Sequence, residues 1–240
     1  MGLVTSERRG AAAVFTYANP PLGTMTAPGA EALLQAVRAA VDDAEVRCIV
    51  LTGGLPGIFV RHYDVGELTG LGERLAEAPT HAAQPAPQPA DGRPAGGFLG
   101  LTDLVAAAPK PVIAAINGLC MGGGFELSLA CDIRIAGADV TAIGLPETRV
   151  GIFPGGGGTQ RLPRVVGEAR ALEMILRGRV VTGPAALEIG LVHEVADDPL
   201  ARALEIAEEF AARPAEGLAY AKRLTRAALD RPLSEGLADE

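Results

Sequence analysis

PKPVIAAINGLCMGGGFELSLACDIRIAGAD, Pro109–Asp139, is the stretch on which the fold turns. Its first part, Pro109–Gly118, is a short apolar, β-branched run that stops at Asn117-Gly118. That pattern reads as a buried parallel strand. Three glycines, Gly122–Gly124, then open a helical stretch, FELSLAC, and DIRIAGA reads as the next strand. Glycine at a helix start lets a ligand approach the backbone closely. The free amides there sit at the positive end of the helix dipole and suit an anion. Glu126 falls in the first turn. On this stretch alone two structural readings stand beside the functional one. The glycines permit tight packing, and Glu126 stabilises the helix start.

Upstream, Ala11–Tyr17 reads as a strand ended by Asn19–Pro21. Leu33, Leu34, Val37 and Val41 fall at helical spacing between Pro28 and Asp42. CIVLTGG, Cys48–Gly54, is a second buried strand that stops at glycines. From about Gly70 to Gly97 the character changes to HAAQPAPQPADGRPAGG. So little large apolar surface cannot offset the entropy of ordering, so a mobile excursion is expected there. Order is expected to resume at Pro109.

Downstream, Gly144–Gly167 (GLPETRVGIFPGGGGTQRLPRVVG) is punctuated by glycine and proline. Ala169–Leu176 and Pro184–Ile189 read as helices, and Leu191–Val195 as a short strand. Two amphipathic helices close the chain near Pro199–Ala212 and Pro214–Leu229. Strand–helix alternation with helices gathered at the end indicates an α/β fold.

Of 240 residues, 48% are hydrophobic and 21% charged, the balance of a soluble globular protein. Such a length suits one core with a small appendage. Acidic residues outnumber basic ones 29 to 21, giving a formal charge of −8. Nucleic acid is therefore not an expected partner. Cys48, Cys120 and Cys131 lack metal-like spacing and read as reduced core residues. No metal site and no membrane span are expected. The start, MGLVTSERRG, has no signal-peptide pattern, so a cytoplasmic location is expected.

Several motif readings fail. A Walker A loop requires Lys-Ser/Thr after its last glycine, whereas Thr159-Gln160 follow Gly155–Gly158. A dinucleotide fingerprint is not met, and no G-x-S-x-G elbow occurs. His62, His81 and His193 suggest neither a triad nor a metal site. Glu147 remains notable, because Pro146 and a glycine-rich loop bracket it.

Four segments taken in order, RCIVLTGG, the Pro109–Asp139 stretch, Gly144–Gly167 and ALEIGLVHEV, resemble the crotonase superfamily, the enoyl-CoA hydratase/isomerase family. The resemblance implies a crotonase (ClpP-like) fold: repeated ββα units, a perpendicular pair of sheets, and C-terminal helices for trimerisation. On that reading residues 1–196 form the core and 197–240 the C-terminal helices, which end earlier than in many relatives. It implies an acyl-CoA thioester substrate, no separate cofactor because CoA belongs to the substrate, and assembly as a homotrimer or dimer of trimers.

The resemblance also places the site. Glu126 and Glu147 match the two glutamates that hydratases use, Glu126 activating water and Glu147 protonating the α-carbon. The amides of Tyr63 and Gly123 match the oxyanion hole. Leu22, Val60, Arg61, His62, Asp64, Val65, Leu119, Met121, Gly122, Ile143, Pro146 and Gly151 match substrate- and CoA-binding positions. One segment departs from the pattern. Phe59–Asp64 reads FVRHYD, where hydratases usually have two small residues and then Gly-Ala-Asp. A backbone donor survives that change, but a Tyr side chain alters the pocket. Arg61 and His62 meet CoA phosphates or are simply solvated. Hydration of a 2-enoyl-CoA is the first reading. Isomerisation by one base and non-catalytic acyl-CoA binding are the alternatives.

Overall fold

In the computed structural model, residues 2–70 and 96–240 are described. The expected mobile excursion, 70–97, lies almost wholly outside them.

Among the described residues, ten strands form two sheets. The first contains β1 (Val4–Arg9), β2 (Ala12–Tyr17), β3 (Cys48–Gly53), β5 (Val112–Ile116), β7 (Ile133–Gly137) and β10 (Glu194–Ala196). Its order is β1-β2-β3-β5-β7-β10, and all pairs beyond the β1–β2 hairpin are parallel. The second has the order β4-β6-β8-β9, from Ile58–Val60, Leu119–Met121, Ile143–Gly144 and Val180–Val181. The two sheets alternate along the chain, as the ββα repeat implies.

The parallel strands are apolar because both faces are covered. Odd positions of β3, such as Ile49 and Leu51, join the main core with α1 (Ala27–Asp42). Cys48 and Val50 face a second cluster under α8 (Pro199–Ala211). Leu33, Leu34 and Val37 on α1 are fully buried and contribute about 1.5–3 kcal/mol each. The Thr26 hydroxyl caps α1 by accepting from Gly29 N at 3.3 Å.

Several elements differ from the sequence reading. β1, VTSERR, was not expected because its edge position leaves it exposed and polar. Gly10, at φ 56°, supplies the tight turn that pairs it with β2. Order resumes before Pro109, with α3 (Gly97–Ala107). It packs against α1 and α4 (Gly123–Ala130), and apolar Leu99 and Ala107 on its exposed face blur its helical period. The segment after Glu147 is not a plain loop. It forms a 3-10 turn, Glu147–Val150, and then α5 (Gly158–Val166), where buried Leu162 anchors the helix despite Pro163. The strand expected at Leu191–Val195 begins only at Glu194, where the ladder to β7 starts. α6 (Glu168–Leu176), α7 (Gly183–Glu188) and α9 (Ala215–Ala227) match expectation, while α10 (Leu233–Asp239) adds a third closing helix.

Candidate active site

β6 ends at Met121, and α4 begins two residues later, so the α4 N-terminus lies at the end of the second sheet. Gly122 makes this turn at φ 49°, a conformation that favours glycine. Glu126, one turn on, is only 4% exposed. Its Oε1 accepts from the amides of Gly156 at 2.7 Å and Gly158 at 2.9 Å. Burial raises its proton affinity above the ordinary carboxyl value, opposed by the Gly158 and Gly156 amides and by Arg161.

Glu147 opens the 3-10 turn. Its Oε2 is buried and has no hydrogen-bond partner among the described residues. Burial, assisted by the nearby Glu126 charge, pushes its pKa up to about 7, against a lowering hydrogen bond from its own backbone. Two carboxyls thus share one site in unlike surroundings. One is held by two amides, and the other keeps one buried oxygen without a partner among the described residues. Such a pair is suited to dividing acid and base work.

Two backbone donors lie beside them. The bridge between Met25 and Tyr63 uses the His62 carbonyl and the Asp64 amide, at 2.8 Å each. Among the described residues, the Tyr63 amide is therefore left unused on the other side. Gly123 is the first residue of α4, so its amide has no acceptor within the helix. A Cβ placed on Gly123 would lie 3.2 Å from Tyr63 N. The two free amides are therefore neighbours, as an oxyanion site requires.

Other positions expected at the site are distributed as follows. His62 donates from Nδ1 to the Tyr63 carbonyl at 2.7 Å, and its Cβ lies near Gly122. Arg61 is half-buried, and its side chain makes no hydrogen bond among the described residues. Asp64 is a helix cap: Oδ1 accepts from Glu67 N at 3.1 Å, at the start of α2 (residues 65–70). Leu22 and Val65 are exposed beside that segment. Val60 and Ile143 are core residues, almost wholly buried. Leu119, Met121 and Pro146 are half-buried around the turn, and Gly151 closes the 3-10 turn at φ 78°.

One residue was missed by the sequence reading. Phe98 stands edge-on to Tyr63, with ring centroids 5.5 Å apart. Its ring reaches Gly123, and Cε1 would lie 2.5 Å from a Cβ on Gly156. No motif signals it, because it follows a low-complexity stretch. A groove of about 1080 Å³ lies behind the Gly156–Gly157 loop, lined also by Leu99, Asp103, Arg161 and Tyr220. Neither glutamate lines this groove. Glu126 instead reaches the loop through the Gly156 and Gly158 amides.

Buried paired carboxyls beside two free amides define an acid–base site for a substrate whose oxygen gains negative charge. Comparison with known proteins gives that class a family. The family model for enoyl-CoA hydratase/isomerase matches residues 7–240. The chain is 38% identical over 214 residues to the mitochondrial methylglutaconyl-CoA hydratase of Rattus norvegicus, covering 87% of this chain and 63% of that protein. It is 40% identical to the putative enoyl-CoA hydratase/isomerase YngF of Bacillus subtilis, covering 82% and 71%. The enoyl-CoA hydratase structure from Bacillus anthracis superposes with a TM-score of 0.85 at 31% identity, over 99% of this chain and 88% of that one. The chain belongs to the enoyl-CoA hydratase/isomerase family and has its crotonase fold. It spans a little under two thirds of the length of the rat relative.

Proposed function

We propose that this protein is an enoyl-CoA hydratase, adding water reversibly across the 2,3 double bond of a 2-enoyl-CoA to give a 3-hydroxyacyl-CoA. Family membership supplies the thioester substrate class. The observation that carries the chemistry is the unpartnered Oε2 of Glu147 in the same site as the amide-held Glu126. Water attacks the β-carbon as Glu126 takes its proton. Charge moves to the thioester oxygen, where the Tyr63 and Gly123 amides meet it. Glu147, neutral up to about pH 7, then gives its proton to the α-carbon. Every step uses side chains and amides of this chain, and CoA acts as the handle that positions the acyl group. Arg61 and His62, at the edge of the site, are the proposed contacts to CoA phosphates.

Assembly as a homotrimer, or a dimer of trimers, is part of the same reading. Val150, Phe153, Leu172 and Leu176 support it, being exposed apolar residues on the 3-10 turn, just after it, and on the α6 helix packed against it. No described helix is long and apolar enough to cross a membrane.

The test is loss of the conjugated-thioester absorbance with 2-enoyl-CoAs from crotonyl to long-chain, branched and aryl-substituted. Formation of the 3-hydroxyacyl product with one class establishes hydration. No loss with any substrate favours the second reading, isomerisation of 3-enoyl-CoAs, which the single unpartnered Glu147 could serve as a proton shuttle.

A further inference from the structure

The glycine loop that holds Glu126 is itself held from behind. Arg161, one turn into α5, donates from Nη1 to the Gly156 carbonyl at 3.0 Å. Its Nη2 donates to Asp103 Oδ1 on α3 at 3.1 Å. Gly156 in turn gives its amide to Glu126. The approach depends on a missing side chain, because a Cβ on Gly157 would collide with Arg161 Nη1. Gly157 also stands at φ 103°, where other residues are strained. Loop, cation and carboxylate thus form one contact chain: Asp103, Arg161, Gly156, Glu126.

We infer that Arg161 is a positioning residue for Glu126, clamping the glycine loop between α3 and α5 so that two amides stay aimed at one carboxylate oxygen. A helix brace alone would need only the bridge to Asp103. The second prong, onto the carbonyl of the residue that holds Glu126, ties the bridge to the site. The guanidinium also opposes the effect of burial on Glu126. Among the described residues, the other charged groups around this carboxyl are Glu147 from the 3-10 turn and Asp103 from α3, the latter already paired with Arg161. The catalytic consequence rests on the hydration reading above, whereas the effect on Glu126 itself does not.

The experiment is a carbon-13 carboxyl titration of glutamate-labelled enzyme, with Glu126→Gln identifying the Glu126 signal. Wild type, Arg161→Gln and Arg161→Lys are compared, alongside kcat, KM and thermal melts. In Arg161→Gln the Glu126 midpoint should rise by about half a pH unit, since a stabilising positive charge is lost. Its kcat should fall roughly 30-fold with KM within about threefold, the split expected when a reacting group is misaligned. Arg161→Lys keeps the charge but cannot reach both acceptors. It should therefore restore the midpoint and only part of kcat. If Arg161→Gln does not fold, a kcat in Arg161→Lys equal to wild type overturns the inference. With both variants folded, an identical Glu126 midpoint in all three proteins overturns it. A midpoint that shifts in Arg161→Gln, while the wild-type enzyme hydrates nothing, supports the inference and sinks the hydration reading instead.

Discussion

Tyr63 and Gly123 meet backbone to backbone: a methyl group on Gly123 would stand 3.0 Å from Tyr63 Cβ and 3.2 Å from its amide nitrogen. The proposed oxyanion site would therefore depend on Tyr63 through its main chain and on Gly123 through its lack of a side chain. Gly123→Ala should force the two segments apart by a few tenths of an ångström and lower kcat/KM at least tenfold, on the way to the 10²–10³ loss typical of removing one donor. Tyr63→Phe keeps the amide and the packing against Phe98, so it should stay within about threefold of wild type. Steady-state hydration of the best 2-enoyl-CoA checks both. A Tyr63→Phe loss as deep as that of Gly123→Ala would transfer the role to the hydroxyl.

Glu126→Gln and Glu147→Gln should each reduce hydration by about 10²-fold or more, the usual range for general acid–base groups. Both are near-isosteric and should leave the fold intact by circular dichroism. They should part company on 3-enoyl-CoAs. Glu126→Gln is expected to keep a larger share of any isomerase activity, because one base at Glu147 is enough for it. Near-normal hydration by either variant removes that residue from the mechanism.

The direction of reaction decides which form of Glu147 is needed. As the acid in hydration, it must be protonated, so kcat/KM should fall as pH rises through about 7. For dehydration the same group must be ionised while Glu126 carries the proton, which is the same total protonation of the pair. Hydration takes up no net proton, so the two directions must share one kcat/KM profile, with the limb near 7 in both. Opposite limbs would contradict the assignment, as would a limb that persists unchanged in the residual activity of Glu147→Gln.

The same burial has a cost in stability. Folded, Glu147 holds its proton to about pH 7, while the unfolded chain ionises near the ordinary value of 4.5. Between those values the native state binds more protons, so stability falls as pH rises, and above 7 the full penalty applies. After allowance for its partial exposure that penalty is about 2 kcal/mol. Glu147→Gln should therefore raise Tm relative to wild type at pH 8 and differ little at pH 4.5. A pH-independent difference would mean that the carboxyl is not held neutral by the fold.

How far the sequence revealed this site depends on which signal each residue leaves. Glu126 and Glu147 were legible because glycine and proline surround them, and backbone constraint is written in those residue types. The strands β3, β5 and β7 were legible as largely apolar runs, since burial on both faces leaves few polar residues, here Thr52 and Arg134. β1 was not, because an edge strand needs only backbone pairing and its side chains remain polar. Phe98 and α3 were hidden for the opposite reason. The exposed face of α3 carries apolar Leu99 and Ala107 beside Asp103, which blurs its period, and the helix follows a stretch with no pattern at all. Arg161 was visible in TQRL only as a neighbour of the glycines. Its two-pronged contact depends on α3 and α5 meeting, which is a tertiary fact.

That dependence extends to the C-terminal helices, read from sequence as an assembly element. α9 is pinned to the core of its own chain by Asp132, the second residue after α4. Lys222 Nζ lies 2.8 Å from Asp132 Oδ2, and Arg226 Nη2 lies 2.8 Å from Oδ1. Lys222 also donates to the carbonyls of Val105 and Lys110, and Arg226 to that of Ala130. The Lys222 side chain is only 10% exposed, and burial lowers its pKa. A buried pair is weak evidence of net stability, but breaking it from one side strands a charge and costs about 3–5 kcal/mol. Asp132→Ala should approach that loss in urea melts, since it also removes the acceptor for Val112 N at 2.8 Å. It should also speed hydrogen exchange along α9 more than in β5. Adding Lys222→Met should recover part of the loss, because the stranded ammonium is gone. Strict additivity of the two substitutions would show that the pair is uncoupled. The attachment of α9 would then rest on its apolar contacts and on the carbonyl contacts of Lys222 and Arg226.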